Sequence, residues 1–154
     1  MKKMMTKIEE CYKDTGFGFD VYLLNVPMMK VRGQWTPKIN YSELSDKVLR
    51  FLIDSKFHLT GEHIFFIRNK LGMTLKEFGH QFGVSHAAVK KWENQKGSPT
   101  NMQLSIERDI KMFAEKKAFG SRGLSRVYTS LMTMYDEPIS KVELTVEDEE
   151  RILV

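Results

Sequence analysis

RNKLGMTLKEFGHQFGVSHAAVKKWENQKGSP, Arg68 to Pro99, is the stretch whose reading decides the fold. Thr74 is followed three residues later by Glu77, the spacing of a capping box, so a short helix is expected to start there. Leu75, Phe78 and Phe82 recur on one side of it. Gly83-Val84 predicts a tight turn, because glycine takes a positive φ without a side-chain clash. Ser85 is then placed to cap a further helix whose apolar side is Ala88, Val89 and Trp92. Gly79 has no side chain to hold the second helix away from the first. Asn94 to Pro99 reads as a loop. Two short helices joined by a glycine turn, the second with a polar outer side, suit the major groove of duplex DNA.

Outward from this pair, Thr60 is expected to cap a helix over Gly61–Leu71 with Ile64, Ile67 and Leu71 inward and Gly72 closing it. Tyr41–Ser55 is also helical in pattern, with Ser42 as N-cap and Leu44, Val48, Phe51 and Leu52 on one face. Residues 1–11 read as a polar, frayed end, and Tyr12–Phe19 as a turn. Asp20–Val26 predicts a strand that Pro27 ends or interrupts, and Met28–Trp35 a second strand of a small hairpin. Downstream, a helix is expected from Thr100 or Asn101 to about Lys117, packed through Met102, Ile106, Ile110 and Phe113. Phe119–Gly123 breaks it. Leu124–Tyr135 predicts another helix, stopped by Pro138, and Lys141–Glu147 a strand. The expected class is mainly α: a five-helix-type helix-turn-helix domain at 59–117, a small N-terminal β-hairpin and helix segment at 1–58, and a C-terminal helix plus strand at 118–154 available as a dimerisation arm.

Composition narrows the function. The 154 residues are 42% hydrophobic and 29% charged, which is globular rather than disordered. One cysteine, Cys11, leaves no internal disulfide and no cysteine zinc site. No apolar run is long enough to span a membrane, and MKKMMTKIEE lacks the apolar core of a signal peptide, so a cytoplasmic protein is expected. The net charge of +4 is unevenly spread. Gly61–Thr100 carries Arg68, Lys70, Lys76, Lys90, Lys91 and Lys96 against Glu62, Glu77 and Glu93, whereas Glu143, Glu147, Asp148, Glu149 and Glu150 make the end acidic. A basic middle segment fits a polyanionic partner. There is no glycine-rich phosphate loop, no metal set and no nucleophile with a base, so no enzyme, cofactor, catalytic residue or metal is expected.

Arg68–Pro99 resembles the helix-turn-helix of phage repressors and their bacterial relatives, the Xre or Cro/CI type, through Arg68, Leu71, Gly72, Phe78, Gly83-Val84-Ser85, Val89, Trp92-Glu93 and Pro99. A wider likeness starts at YKDTGFGFDVYLLNV and resumes at LTGEHIFFIRNKLGMTLKEFG. It resembles the MqsA-related (YgiT-type) antitoxins, through Tyr12, Thr15, Gly18, Val21, Leu23, Leu59, Gly61, Glu62, Phe66, Ile67 and Arg68. Zinc-bearing members of that family carry paired CxxC motifs ahead of this region, which Cys11 alone does not replace. Leu75 stands where phage repressors usually have a phosphate-touching glutamine.

The resemblance implies base-facing positions at Ser85, His86, Ala87 and Lys91, with Thr74, Lys90, Asn94 and Lys96 near phosphates. Ala87 suits a thymine methyl and Lys91 guanine O6 or N7. It also implies that Arg68 and Glu93 pair structurally. Trp92 reads as core, His80 as solvated, and His58 and His63 as poorly spaced for a metal. The methionines read as core filler. The expected partners are a palindromic DNA operator, a second copy of the chain with recognition helices about 34 Å apart, and a cognate toxin protein. The implied function is a sequence-specific regulator, an antitoxin repressing its own operon; the alternative is a stand-alone phage-like repressor.

Overall fold

The computed structural model describes residues 5–146, which form six helices and four strands. They divide into two compact units: residues up to Val48 together with those from Lys141, and Leu49–Ser140. The boundaries expected at 58 and 117 both fall inside the second unit. The acidic run Glu147–Glu150 lies outside the described residues.

The first unit is a sheet with the start of a helix. Strands β1 (Thr6–Asp14), β2 (Val21–Val31) and β3 (Gln34–Pro37) are antiparallel neighbours, and β4 (Val142–Thr145) pairs parallel with β2. The frayed end expected over 1–11 is instead a strand from Thr6. TKIEECYKD has no clean alternation, because most of its side chains on both faces are exposed; main-chain pairing with β2, from Thr6↔Met29 to Asp14↔Val21, holds it in the sheet. The turn expected over Tyr12–Phe19 is confined to the residues after Asp14, where Gly18 has φ 93.

Pro27 does not end β2. Its carbonyl accepts from the Lys38 N–H at 2.7 Å, so its missing donor falls on the side where the β3 ladder is already finishing. Met28–Val31 therefore continues β2, and the second hairpin strand is only Gln34–Pro37. Asn25, at φ 55, breaks the pairing for one residue. The buried positions switch parity across it, from Val21 and Leu23 to Val26 and Met28.

Helix α1 (Tyr41–Asp54) starts two residues earlier than a Ser42 cap would allow. Asn40 Oδ1 accepts from the Ser42 and Glu43 N–H groups at 3.0 and 3.3 Å, so Asn40 is the cap. The second unit follows with α2 (Gly61–Lys70), α3 (Leu75–Gln81), α4 (His86–Glu93), α5 (Leu104–Phe119) and α6 (Leu124–Leu131). Ile64, Ile67, Phe78, Val89, Ile110, Ala114 and Val127 are fully buried in it.

Helix α5 starts at Leu104, not at Thr100 or Asn101. Thr100 Oγ1 accepts from Met102 N–H, and Asn101 sits at φ 59, outside helical geometry. Helix α6 ends at Leu131, well before Pro138. The chain after it runs beside the α1–α2 loop, with Tyr135 N–H donating to Lys56 O and Ile139 N–H to His58 O.

The buried face of α5 is charged. Glu107, Lys111 and Glu115 sit four residues apart and are all nearly inaccessible to solvent. Glu107 Oε1 accepts from Leu59 N–H and Oε2 contacts His58 Nδ1, both at 2.6 Å. Lys111 Nζ donates to Ser55 O and Phe57 O at 2.7 and 3.2 Å. Burial lowers the Lys111 pKa to about 8, which leaves it charged at neutral pH. Glu115 takes two bonds from Arg50 Nη1, at 2.8 and 2.6 Å. This row clamps the loop leading into α2 and so fixes where the helix-turn-helix begins.

Candidate nucleic-acid interface

Local chemistry builds α3 and α4 one end at a time. Thr74 Oγ1 accepts from Glu77 N–H at 3.1 Å, and Glu77 Oε1 accepts from Thr74 N–H at 3.3 Å. The turn closes through Val84 N–H to Gly79 O at 2.9 Å, with Gly83 at φ 69. Ser85 Oγ then accepts from Ala88 N–H at 3.1 Å, which caps α4. A Cβ on Gly79 would lie 2.7 Å from Val84 O, closer than such atoms approach, so the α3–α4 crossing requires glycine.

A second glycine has the same importance and is less evident in the sequence. A Cβ on Gly61 would overlap the Trp92 carbonyl oxygen, because the end of α4 rests directly on the first turn of α2. There Glu62 N–H donates to Lys96 O at 2.9 Å. Arg68 reinforces the junction. Its Nε and Nη2 donate to the two Glu93 oxygens at 2.8 and 2.9 Å, and its Nη1 donates to Met73 O at 3.0 Å. Phe78, Phe82 and Phe113 form an edge-on chain, with centroids 4.8 and 5.6 Å apart, between α3 and α5.

Packing consumes Val89, Trp92 and Glu93, all buried. On the opposite side of α4, Ala87, Lys91 and Asn94 follow one another at i, i+4 and i+7, and all three are exposed. His86 and Lys90, also exposed, form a parallel row on the flank, and Ser85 stands at the helix start. Thr74 and Lys96 are exposed too, at the start of α3 and in the loop after α4.

An open cleft of about 420 Å³ runs between α3 and the start of α4, lined by Lys76, Glu77, His80, Val84, Ser85 and His86. In the sequence Lys76 is only one cation of the basic middle segment, and His80 reads as solvated. The turn brings both beside Ser85 and His86, and their only signal was their position on the outer side of α3. Because Arg68 and Glu93 satisfy each other, the surface charge of this region rests on its lysines, with Glu62 and Glu77 as the anions. His58 and His63 go separate ways: His58 to Glu107, His63 to the cap at Thr60. Among the described residues there is no cluster of three or more metal-type ligands. None of their helices is long and apolar enough to cross a membrane.

A helix-turn-helix family model, of the Xre/Cro type, matches residues 65–105, from the middle of α2 to the first turn of α5. No curated protein and no solved structure matches the chain. The matched segment contains the capped pair, the glycine-dependent α3–α4 turn at Gly79 and Gly83, and the exposed stripe of α4. Residues 65–105 are a helix-turn-helix of the kind that binds DNA in transcriptional regulators.

Proposed function

We infer that this protein is a sequence-specific transcriptional regulator that lays α4 in the major groove of duplex DNA. The observation that carries this reading is the division of α4. Its inner side is used up by packing and the Arg68–Glu93 fork, while Ala87, Lys91 and Asn94 stand exposed in one stripe flanked by His86 and Lys90. In this role Ser85, His86, Ala87 and Lys91 face base edges, with Ala87 against a thymine methyl and Lys91 on guanine O6 or N7. Thr74, Lys90, Asn94 and Lys96 hold phosphates, which set register and supply the salt-dependent share of affinity. A second copy on a palindromic site would double both contributions.

The finer proposal is an antitoxin that represses its own operon. Its support is the resemblance over Tyr12–Leu59, in which Tyr12 and Leu23 are cross-strand partners and Val21 and Leu23 are buried. Footprinting the protein on the DNA upstream of its own gene, at stated salt, tests the first proposal. A protected inverted repeat is expected, and uniform protection without sequence preference would refute it. Co-expression with the adjacent gene tests the second: rescue from a toxic neighbour supports the antitoxin, and a harmless neighbour leaves a stand-alone repressor.

A further inference from the structure

The β2–β3 hairpin turns on two residues, Arg32 and Gly33, both at positive φ (50 and 80) between the paired Val31 and Gln34. Positive φ at both central positions marks the tight hairpin turn that prefers Asn-Gly or Asp-Gly. Here the first position is arginine, a residue that gains nothing from the left-handed conformation and loses the local hydrogen bonding an asparagine would make. Backbone strain held at an exposed tip points to a use for the side chain.

The surroundings of the tip are mostly basic. Lys7 Nζ and Lys30 Nζ lie 4.5 and 5.8 Å from the centroid of the Trp35 ring, which holds both ammonium groups over one indole. Lys38 follows β3 directly and is exposed, as are Lys30 and Arg32. Among the described residues, Glu9 is the carboxylate within ion-pair range of this group, 3.5 Å from Lys7, and none lies in such range of Lys30, Arg32 or Lys38. The other acidic groups of the sheet lie further along the strands: Glu10 in the middle of β1, Glu143 opposite Tyr22, and Asp14 and Asp20 at the β1–β2 turn at the far end.

We propose that this hairpin tip is a second nucleic-acid contact, in which Lys30, Arg32 and Lys38 bind backbone phosphates of duplex DNA. It lies outside the helix-turn-helix segment. It rests on the DNA reading of α4 only in that both take duplex DNA as ligand. A phosphate contact of this kind carries no base preference and releases condensed counterions.

The test is fluorescence anisotropy of the full chain on the footprinted duplex across 50–200 mM salt. Wild type is compared with Arg32→Asn, with the triple variant Lys30→Ala/Arg32→Asn/Lys38→Ala, and with Lys91→Ala. Arg32→Asn restores the preferred turn residue, so the fold is kept or strengthened while the slope of log affinity against log salt falls by about one unit. The triple variant lowers the slope by nearly three units, so its loss of affinity over that range is about 40-fold smaller than that of wild type. Both keep the wild-type ranking of mismatched operators, which Lys91→Ala changes. Wild-type slopes in both hairpin variants, with Lys91→Ala impaired, overturn the hairpin contact and leave the α4 reading standing. No duplex binding by wild type overturns both. Wild-type slopes combined with lost binding to poly-glutamate assign the tip to an acidic protein and also overturn the proposal.

Discussion

Helix α4 turns Lys90 and Lys91 to solvent and keeps Val89 and Trp92 inside, whereas α5 buries Glu107, Lys111 and Glu115 beside Ile110 and Ala114. Both helices carry charge at helical spacing, yet the charges act on different things. On α5 each of the three buried charges is matched at once, by a backbone group or an arginine, and its effect ends within the fold. On α4 the ammonium groups have no such partner inside the unit and are left for a polyanion. Buried charge organises the entry to α2; exposed charge is available for binding. Substitutions should therefore separate cleanly: changes on α5 should move stability with operator preference intact, and changes on the outer side of α4 the reverse.

The largest effect is expected at Glu107. Glu107→Ala leaves His58 Nδ1 and Leu59 N–H facing an empty site, and removing one member of a buried polar pair typically costs about 3–5 kcal/mol. Urea unfolding should show a loss of this size. Footprints at low temperature, where the variant is still folded, should keep the wild-type pattern. A changed pattern would mean that α5 helps to read DNA and would erase the contrast with α4.

Next comes a pH effect at the entry that α5 clamps. The N-cap Thr60 N–H donates to His63 Nδ1 at 3.0 Å, so the third residue of α2 acts in a capping box as glutamate or glutamine usually does. Only neutral imidazole can accept there. Burial, and then the nearby Lys111 charge, lower its pKa to about 4. The folded state is therefore the poorer proton binder: stability is full above the ordinary histidine value near 6.5 and falls as pH drops from there to about 4, by roughly 3 kcal/mol. Below about 4 both states are protonated and this loss stops growing. His63→Gln keeps an acceptor at the cap without the titration, so its unfolding midpoint should be flatter across that window. An equally steep acid loss in this variant would place the titrating group elsewhere.

Legibility in the sequence follows the same divide. Both α3 and α4 are specified by neighbours: Thr74 with Glu77, Ser85 with Ala88, Gly79 with Val84. Such spacings can be read directly from a chain. The charged row of α5 cannot, because its partners lie 48 to 65 residues away. Hydrophobic period gives Met102, Ile106, Ile110 and Phe113 as the packing face; Ile110 is buried, but the other three are half-buried while Glu107, Lys111 and Glu115 take the interior. Strand β1 stayed invisible for a related reason: its binding is main-chain pairing, which leaves little trace in side-chain pattern. The sequence marks Gly61 as a helix start, but carries no sign that α4 rests there.

On the exposed side, Lys91→Ala should leave the unfolding midpoint within about 0.5 kcal/mol of wild type, as expected of a surface change away from a cap. Discrimination between the operator and a variant altered at the contacted base should fall by about 1–3 kcal/mol. Competition anisotropy with single-base operator variants measures this position by position. Equal loss on every sequence would move Lys91 from the base-reading group to the phosphate group.

The smallest expected effect falls where structure and reading share one side chain. Ser85 Oγ already accepts from Ala88 N–H, and a hydroxyl keeps one proton to donate. Ser85→Ala removes both functions and should cost about 1 kcal/mol of stability through the lost cap. Ser85→Asp separates them, since a carboxylate caps at least as well and favours the positive end of the α4 dipole. Its stability should return to the wild-type level. DNA binding should weaken further than in Ser85→Ala, because a negative charge then faces phosphate and base acceptors. If Ser85→Asp instead binds DNA as wild type does, the start of α4 does not approach the duplex. The reading surface would then shift along the helix toward Lys91 and Asn94.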